Sequence, residues 1–203
     1  MPTPVRSGTG AVVETIEGHQ WRVYERLRSG PPLAAPVSST ITYAVGEILA
    51  ITHALRFPAA GICPWNSMRL ATIGWAELAS VAAAKRADWA PLLAAAVPAL
   101  AELESIGEDA APGEPVLCHN NLNPGNVRLG PAGRLIVTGW EHANGLPPEW
   151  ELSTSLANWA VNPNGGINAA GARALLEGYR AQAGSLPALS LDTFRGTATG
   201  LQN

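Results

Sequence analysis

The hydrophobic pattern divides the chain into a short β-rich beginning and a longer, mostly helical remainder. Alternating apolar and polar positions predict a β-hairpin from Val12–Ile16 and Gln20–Leu27, joined across Glu17–His19. The segment Ser29–Val37 contains three prolines and a glycine, so we predict a linker there, and residues 1–10 are expected to form a loose lead. We therefore divide the chain into residues 1–35 and 36–203.

Helical periodicity dominates the second part. Apolar residues recur at helical spacing in five stretches: Ser38–Leu55, Ile73–Lys85, Asp88–Ile106, Ile167–Ala183 and Leu191–Leu201. Pro98 lies inside the third stretch and is expected to kink or divide that helix, whereas Gly184 should end the fourth. The segments Arg56–Arg69 and Asn162–Gly166 have no such period and are predicted to be irregular.

Between these helices, the segment Val116–Glu141 has a different pattern. A short apolar strand ends at His119, and a polar loop follows it. Val127–Leu129 and Leu135–Val137 are then predicted to form the arms of a tight hairpin around Gly-Pro-Ala-Gly. A strand, a polar loop and a hairpin bring polar side chains together at one place, so this segment is the first candidate for a functional site.

Composition excludes several classes of protein. Hydrophobic residues make up 47% of the chain and charged residues 14%, which is typical of an ordinary globular protein. The net charge of −3 gives no electrostatic argument for nucleic acid or an anionic membrane as partner. The two cysteines, Cys63 and Cys118, lie too far apart to suggest a metal cluster or a disulfide framework. The beginning lacks the apolar core of a secretory signal, so a cytoplasmic location is expected.

The central segment resembles the catalytic segment of the aminoglycoside phosphotransferase and choline-kinase-like family, whose pattern is H-G-D-L-x-P-G-N, a hairpin and I-D-W-E. The matching residues are His119, Leu122, Pro124, Gly125, Asn126, Trp140 and Glu141. The stretches G-E-I-L-A-I-T-H-A-L and P-P-E-W-E-L also resemble helices of that family. The resemblance implies an α+β, protein-kinase-like fold. Residues 36–203 would be its helical C-lobe, and residues 1–35 a truncated N-lobe hairpin with a hinge-like linker.

The resemblance also implies roles for individual residues. Asn121 stands where the family has the aspartate that takes the acceptor's proton, and Gly139 where it has the aspartate that carries magnesium beside Asn126. Glu151 replaces an aspartate that braces the catalytic loop. His119 is expected to hold the loop rather than to react.

Two further expectations concern the rest of the cleft. Tyr24–Leu27 falls where the family's hinge pairs with adenine, so Tyr24 and Glu25, with Asn126 and Trp140, are the candidate ligand-binding residues. His53, on the first predicted helix, is expected to be a packed histidine with satisfied hydrogen bonds rather than a ligand.

The two substitutions remove chemistry that phosphoryl transfer needs. An asparagine cannot accept a proton, and losing general-base assistance costs about 10²–10⁴ in rate. Amide side chains alone have no charge to offset the dehydration of magnesium. If residues 139–141 are extended, Glu141 points to the same side as Gly139, and its carboxylate is the one candidate to replace the lost ligand. Because the aspartate itself is absent, we predict no metal site. The family's triphosphate lysine has no counterpart before Tyr24, because the only lysine is Lys85.

Several functions remain open from the sequence. The leading hypothesis is a pseudokinase-like protein that binds a small molecule or a protein partner in the former cleft, with Asn121, His119 and Glu141 at the degenerate catalytic positions. One alternative is a metal-independent enzyme that uses His119, Glu141, His142 and Glu151 for acid–base chemistry. Residual phosphotransfer is another, and only this one calls for ATP and magnesium. The last possibility is a degraded member of this family that has no biochemical role.

The predicted hairpin carries a further expectation about assembly. A short sheet without further strands leaves an unpaired edge and uncovered apolar surface. We therefore predict a homodimer or a protein partner that covers Val12–Leu27.

Overall fold

The computed structural model describes residues 3–26, 28–107, 111–162 and 164–203. Its helices are α1 (Ser39–Ala54), α2 (Pro64–Ser67), α3 (Trp75–Ala84), α4 (Ala90–Ser105), α5 (Pro148–Trp159), α6 (Ala169–Ala183) and α7 (Arg195–Gln202). Its strands are β1 (Pro4–Val5), β2 (Glu14–Ile16), β3 (His19–Trp21), β4 (Val23–Tyr24), β5 (Val116–Cys118), β6 (Val127–Leu129), β7 (Leu135–Val137) and β8 (Asn144–Leu146). These strands pair as β1–β4, β2–β3, β5–β8 and β6–β7, all antiparallel, and the mixture confirms the α+β class.

The helices α1 and α6 approach each other very closely, because glycines lie at their contact. A Cβ added at Gly46 would lie 2.0 Å from the carbonyl oxygen of Leu175, and one added at Gly178 would lie 2.0 Å from that of Tyr43. Neither position can hold a side chain at this spacing. The two helices form one wall of the main core.

The main core collects side chains from α1, α5, α6 and the central hairpin. Its buried members are Val45, Leu49, Ala50, Leu122, Val127, Val137, Leu152, Trp159, Leu175 and Tyr179. The Trp159 indole N–H donates to the carbonyl oxygen of Leu122 over 2.8 Å. This bond satisfies the one polar atom of a fully buried tryptophan and fixes the loop after β5 to α5.

The N-terminal strands differ from the single hairpin predicted for Val12–Ile16 and Gln20–Leu27. A shorter hairpin forms between β2 and β3, because Glu17 and Gly18 both adopt left-handed backbone angles and close a tight turn. β4 then leaves this hairpin and pairs with β1. The prediction that residues 1–10 form a loose lead is wrong for the described part, since β1 lies there. Leu27 lies outside the described residues.

The predicted linker does more than connect the two parts. The N–H of Gly30 donates to Leu129 O over 2.8 Å, and the N–H of Leu33 donates to Val127 O over 2.9 Å. The linker thus runs beside β6 with strand-like hydrogen bonds. It ties the N-terminal strands to the hairpin of the central segment.

The helices after the linker lie close to their predicted positions. Pro98 lies inside α4 and does not divide the helix. Gly184 ends α6, as predicted, and adopts a left-handed conformation. The segment Arg56–Arg69, predicted to be irregular, contains the single turn α2. The sequence pattern also missed β8, whose three residues pair with β5. Among the described residues, no helix combines the length and the apolar character that a membrane crossing needs.

Candidate functional site

His119 is a buried structural residue at the end of β5. Its Nε2 lies 2.8 Å from the carbonyl oxygen of Thr138, and its Nδ1 accepts the N–H of Asn121 at 3.2 Å. Since the carbonyl can only accept, the proton is on Nε2 and the ring is neutral. Burial lowers the pKa of His119, outweighing the bond to Thr138, which raises it. Both ring nitrogens are therefore used to hold the loop, as the sequence predicted.

A buried network behind the loop braces its backbone. One carboxylate oxygen of Glu151 accepts the N–H of Asn120 over 2.6 Å, and the other accepts His53 Nε2 over 2.8 Å. His53 Nδ1 lies 3.0 Å from the Tyr179 hydroxyl. The brace predicted for Glu151 therefore forms, and His53 has partners at both nitrogens. Asn120 needs such support because its backbone is left-handed, with φ of 63°.

The electrostatics of this network favour an ionised Glu151. Burial by itself would raise the pKa of Glu151, but the His53 hydrogen bond and charge and the Asn120 N–H together hold it below its ordinary value of 4.5. Burial raises the pKa of Tyr179 to about 12 and that of the Cys118 thiol well above its usual range. The tyrosine and the thiol therefore stay protonated at neutral pH.

The same network contains a group of metal-ligand type. Ligand atoms of His53, Cys118 and Glu151 lie within 4.8 Å of one another. However, both oxygens of Glu151 already accept hydrogen bonds, and the Cys118 thiol donates to Leu146 O. The three residues therefore work as a hydrogen-bonded brace.

The amide side chains of the loop are turned toward one another. The Asn121 side-chain oxygen accepts the amide of Asn123 over 2.7 Å, and the Asn121 carbonyl accepts the amide of Asn126 over 2.8 Å. Asn121 and Asn126 thus lie together, as the motif implied. The side-chain amides of this loop therefore form hydrogen bonds within the loop itself.

Gly139 lies directly against Asn126 in a left-handed conformation, with φ of 82°. A Cβ at this position would lie 2.8 Å from the Cγ of Asn126, so Asn126 occupies the space where a side chain would begin. Residues 140–142 form a 3₁₀ turn, which overturns the assumption of an extended segment that would bring Glu141 to the side of Gly139. The residues present do not fit a magnesium ion, which prefers carboxylate oxygens.

Two of the four acid–base candidates have side chains that take no part in the buried hydrogen bonds. His119 and Glu151 have every polar side-chain atom engaged. Glu141 and His142 are exposed, with side-chain accessibilities of 72% and 57% and a separation of 3.8 Å between Oε1 and Nε2.

A cavity of 390 Å³ opens beside Asn121. It is lined by Cys63, Trp65, Asn66, Asn120, Asn121 and His142. The Asn120 amide donates to His142 O over 3.2 Å, which fixes its orientation, and its oxygen is buried without a hydrogen-bond partner in the described part of the chain. The indole ring of Trp65 and the polar side chains of Asn121 and His142 are therefore the binding groups that this cavity offers.

The other predicted ligand-binding residues lie away from this cavity or are used in packing. Trp140 packs edge-on against His119, with 4.6 Å between ring centroids, and its indole N–H donates to Val137 O. Tyr24 lies at the end of β4 and Glu25 directly follows it; both are exposed, and neither is among the residues that line the cavity. Their roles in ligand binding stay predictions.

Sequence reasoning missed the wall that α2 contributes. Cys63, Trp65 and Asn66 reach the cavity because the N–H of Cys63 bonds to Gly145 O on β8, the strand that the pattern did not reveal. The neighbouring helix and strand are each too short to show a period. The helix-starting Pro64 was the one available signal.

Comparison with known proteins agrees with this geometry. Residues 2–184 match the sequence model of APH, the phosphotransferase enzyme family. No curated protein matches the chain with significance. A solved structure of spectinomycin phosphotransferase APH(9)-Ia with AMP superposes with a TM-score of 0.68 at 14% identity, covering 98% of this chain and 65% of its own.

Other solved structures show the same fold. Choline kinase LicA from Streptococcus pneumoniae gives a TM-score of 0.53 at 19% identity, covering 88% of this chain and 55% of its own. Choline kinase from Cryptosporidium parvum gives 0.51 at 12% identity, covering 98% and 62%. The chain thus spans less than two thirds of the length of these structures, and the similarity confirms the kinase-like fold.

Proposed function

Since the chain belongs to the phosphotransferase enzyme family, we propose that it has lost phosphotransfer and binds a small hydroxylated amine in the cavity beside Asn121. The observation that carries the proposal is the arrangement of Asn121, Asn126 and Gly139. Asn121 stands at the position of the catalytic base, and its side-chain oxygen accepts a hydrogen bond from the Asn123 amide. Asn126, whose amide donates to the Asn121 carbonyl, fills the space in which a metal-bearing side chain at position 139 would begin.

The chemistry of the cavity supports an amine as ligand. Asn121 and His142 give the cavity polar side chains that can form hydrogen bonds with a hydroxyl group. Trp65 offers an aromatic face, which attracts ammonium groups by cation–π interaction. A volume of 390 Å³ suits a small molecule. Choline and spectinomycin, after which two of the similar enzymes are named, are both hydroxylated amines and are therefore the first probes to use.

Cys63 gives a direct readout of binding, because it lines the cavity. The other free thiol, Cys118, is fully buried and its pKa is raised by burial, so a maleimide should label Cys63 first. We expect bound choline or spectinomycin to slow Cys63 labelling and to raise the melting temperature. The same free thiols favour a reducing compartment, so we propose a cytoplasmic location.

A matched pair of variants tests whether the indole ring of Trp65 contributes to binding. Trp65→Leu should abolish the protection of Cys63, whereas Trp89→Leu, at a similarly exposed tryptophan outside the cavity lining, should not change it. If neither probe nor a wider set of hydroxylated amines protects Cys63 or raises the melting temperature, the binding role is refuted.

Loss of phosphotransfer is tested separately. We expect no ADP formation from ATP and magnesium with either probe as acceptor. Turnover that disappears with Asn121→Ala would refute the loss and restore residual phosphotransfer as the function.

A further inference from the structure

Asn66 adds an oriented amide to the binding groups of the cavity beside Asn121. It lies on α2, and its amide nitrogen donates to the carbonyl oxygen of Gly196 on α7 over 3.3 Å. Because a carbonyl can only accept, this bond fixes which end of the amide is the nitrogen. No residue of α7 is among the described residues that line the cavity, whereas Asn66 is. The nitrogen is thus turned to α7, and the oxygen is the end that remains for the cavity.

A ligand in the cavity can reach this oxygen. Asn66 Oδ1 accepts no hydrogen bond from the described residues. It differs from the oxygen of Asn120, which is fully enclosed by the protein. The residue as a whole is only 6% exposed, so its side chain is held in the cavity wall. An acceptor in a cavity wall without a protein donor is a place for a donor from a ligand.

Trp65 lies beside Asn66 in the same wall. Helix α7 supports this residue too, since Asn203 donates to Trp65 O over 2.8 Å. A Cβ added at Gly200 would lie 3.4 Å from the indole Nε1, so α7 lies against that edge of the ring. The rest of the ring is left to the cavity, and Trp65 is 48% exposed. The α2 wall therefore offers an aromatic ring next to an amide oxygen.

The opposite wall of the cavity fixes which end of a hydroxylated amine the α2 wall receives. Asn121 and His142 come from the loop and the 3₁₀ turn of the central segment, and their polar groups suit a hydroxyl. The six described lining residues include no lysine or arginine that would repel a cation. The ammonium group of the ligand is therefore placed at Trp65 and Asn66.

A ring and an amide oxygen distinguish amines in different ways. The ring attracts any ammonium group, including a quaternary one, by cation–π interaction. The amide oxygen can only accept, so it needs an N–H. We propose that Asn66 makes the cavity selective for hydroxylated amines that retain at least one N–H, which donates to Asn66 Oδ1 while the charge lies over Trp65. This inference rests on the function proposed above and names the class of amine.

Ethanolamine and its N-methylated derivatives test the selectivity, because they share the hydroxyl group and, at neutral pH, the positive charge. N,N-dimethylethanolamine retains one N–H, and choline has none. Calorimetry and Cys63 protection would compare their affinities. We expect choline to bind about tenfold more weakly than N,N-dimethylethanolamine. A hydrogen bond to a charged group contributes more than about tenfold, whereas the additional methyl group of choline recovers less than about fourfold.

Asn66→Leu is the matching variant, because leucine has a similar size and no acceptor. The preference for N,N-dimethylethanolamine over choline should disappear in this variant. The ratio of the two affinities is the readout, since a loosened α2 would weaken both amines alike. Asn164→Leu is the control and should keep the preference, because Asn164 lies outside the cavity lining and accepts only the N–H of Gly166.

Two results would overturn the inference and leave the proposed function intact. In the first, the wild type binds choline at least as tightly as N,N-dimethylethanolamine; this result decides even if Asn66→Leu does not fold. In the second, Asn66→Leu weakens both amines equally and keeps the preference, which would mean that Asn66 only supports Trp65. If no amine of the series binds to the wild type, the proposed function and this inference are both refuted.

Discussion

Replacing Glu151 by glutamine tests whether the buried network supports the loop. The substitution keeps the size of the side chain and removes its charge. One oxygen remains to accept the N–H of Asn120, but the new NH₂ group then faces His53 Nε2, which is also a donor. His53 must change its tautomer or lose this bond. Either change also disturbs its contact with the Tyr179 hydroxyl at 3.0 Å.

The magnitude follows from the kind of bond that is lost. A hydrogen bond to a charged group contributes about 1.5–3 kcal/mol, and Glu151 is fully buried, so solvent does not weaken it. For a chain of this length, that corresponds to a fall in melting temperature of about 3–12 °C. Loosening of the left-handed Asn120 should also weaken binding in the cavity that Asn120 lines.

The effect should depend on pH in one direction. The folded pKa of Glu151 is held below its ordinary value of 4.5, so its ionised form stabilises the protein above that pH. This contribution is lost as the pH falls through the folded pKa. The difference in the free energy of unfolding between wild type and Glu151→Gln should therefore be largest near neutral pH and shrink below about pH 4.5.

Urea unfolding at a series of pH values, followed by tryptophan fluorescence, measures this difference. Glu149→Gln is the matched control, because Glu149 lies in the same first turn of α5 and has no hydrogen bond or ion pair within the described residues. It should change stability by less than about 0.5 kcal/mol. A Glu151→Gln variant as stable as the wild type at neutral pH, or a difference that grows in acid, would refute the network as described.

Two further predictions concern packing and assembly. Gly178→Ala should destabilise the fold by about 1–3 kcal/mol in thermal melting, because the new Cβ would lie 2.0 Å from Tyr43 O, even though alanine is the better helix former. Gly61→Ala is the control and should not destabilise the fold, because its Cβ would point into open space. Equal stabilities of the two variants would contradict the close approach of α1 and α6. We also propose that a second copy of the chain covers the exposed N-terminal strands, where Trp21 is 57% exposed. Light scattering should show a dimer that Trp21→Ser, but not Trp89→Ser, converts to a monomer; a monomeric wild type at all concentrations would refute it.

Long segments with a strong period could be predicted from the sequence, and short ones could not. The helices α1, α4 and α6 have enough residues for apolar positions to repeat several times. The two- and three-residue strands do not, so β1 and β8 were missed and the first hairpin was drawn too long. Their pairing depends on contacts between distant segments, which local pattern does not contain.

The candidate site shows the same division. A motif with fixed spacing was sufficient to place His119, Asn121 and Asn126 together and to anticipate Glu151 as the brace. The conformation around Gly139 was not predictable, because a glycine allows extended and left-handed backbone alike. An extended segment 139–141 follows from the strand before it, whereas the 3₁₀ turn after Gly139 directs the chain away from that course.

The contact between Gly139 and Asn126 makes the introduction of a metal site depend on the order of substitutions. An aspartate introduced first at position 139 meets Asn126 and must adopt a left-handed backbone, so Asn126 has to rotate and give up its bond to the Asn121 carbonyl. That bond helps to order the loop, so the first step lowers stability before any gain in ion binding can appear. Attempts to build a metal site in this scaffold should therefore change positions 121, 126 and 139 together, because a screen for stable variants would reject each single change.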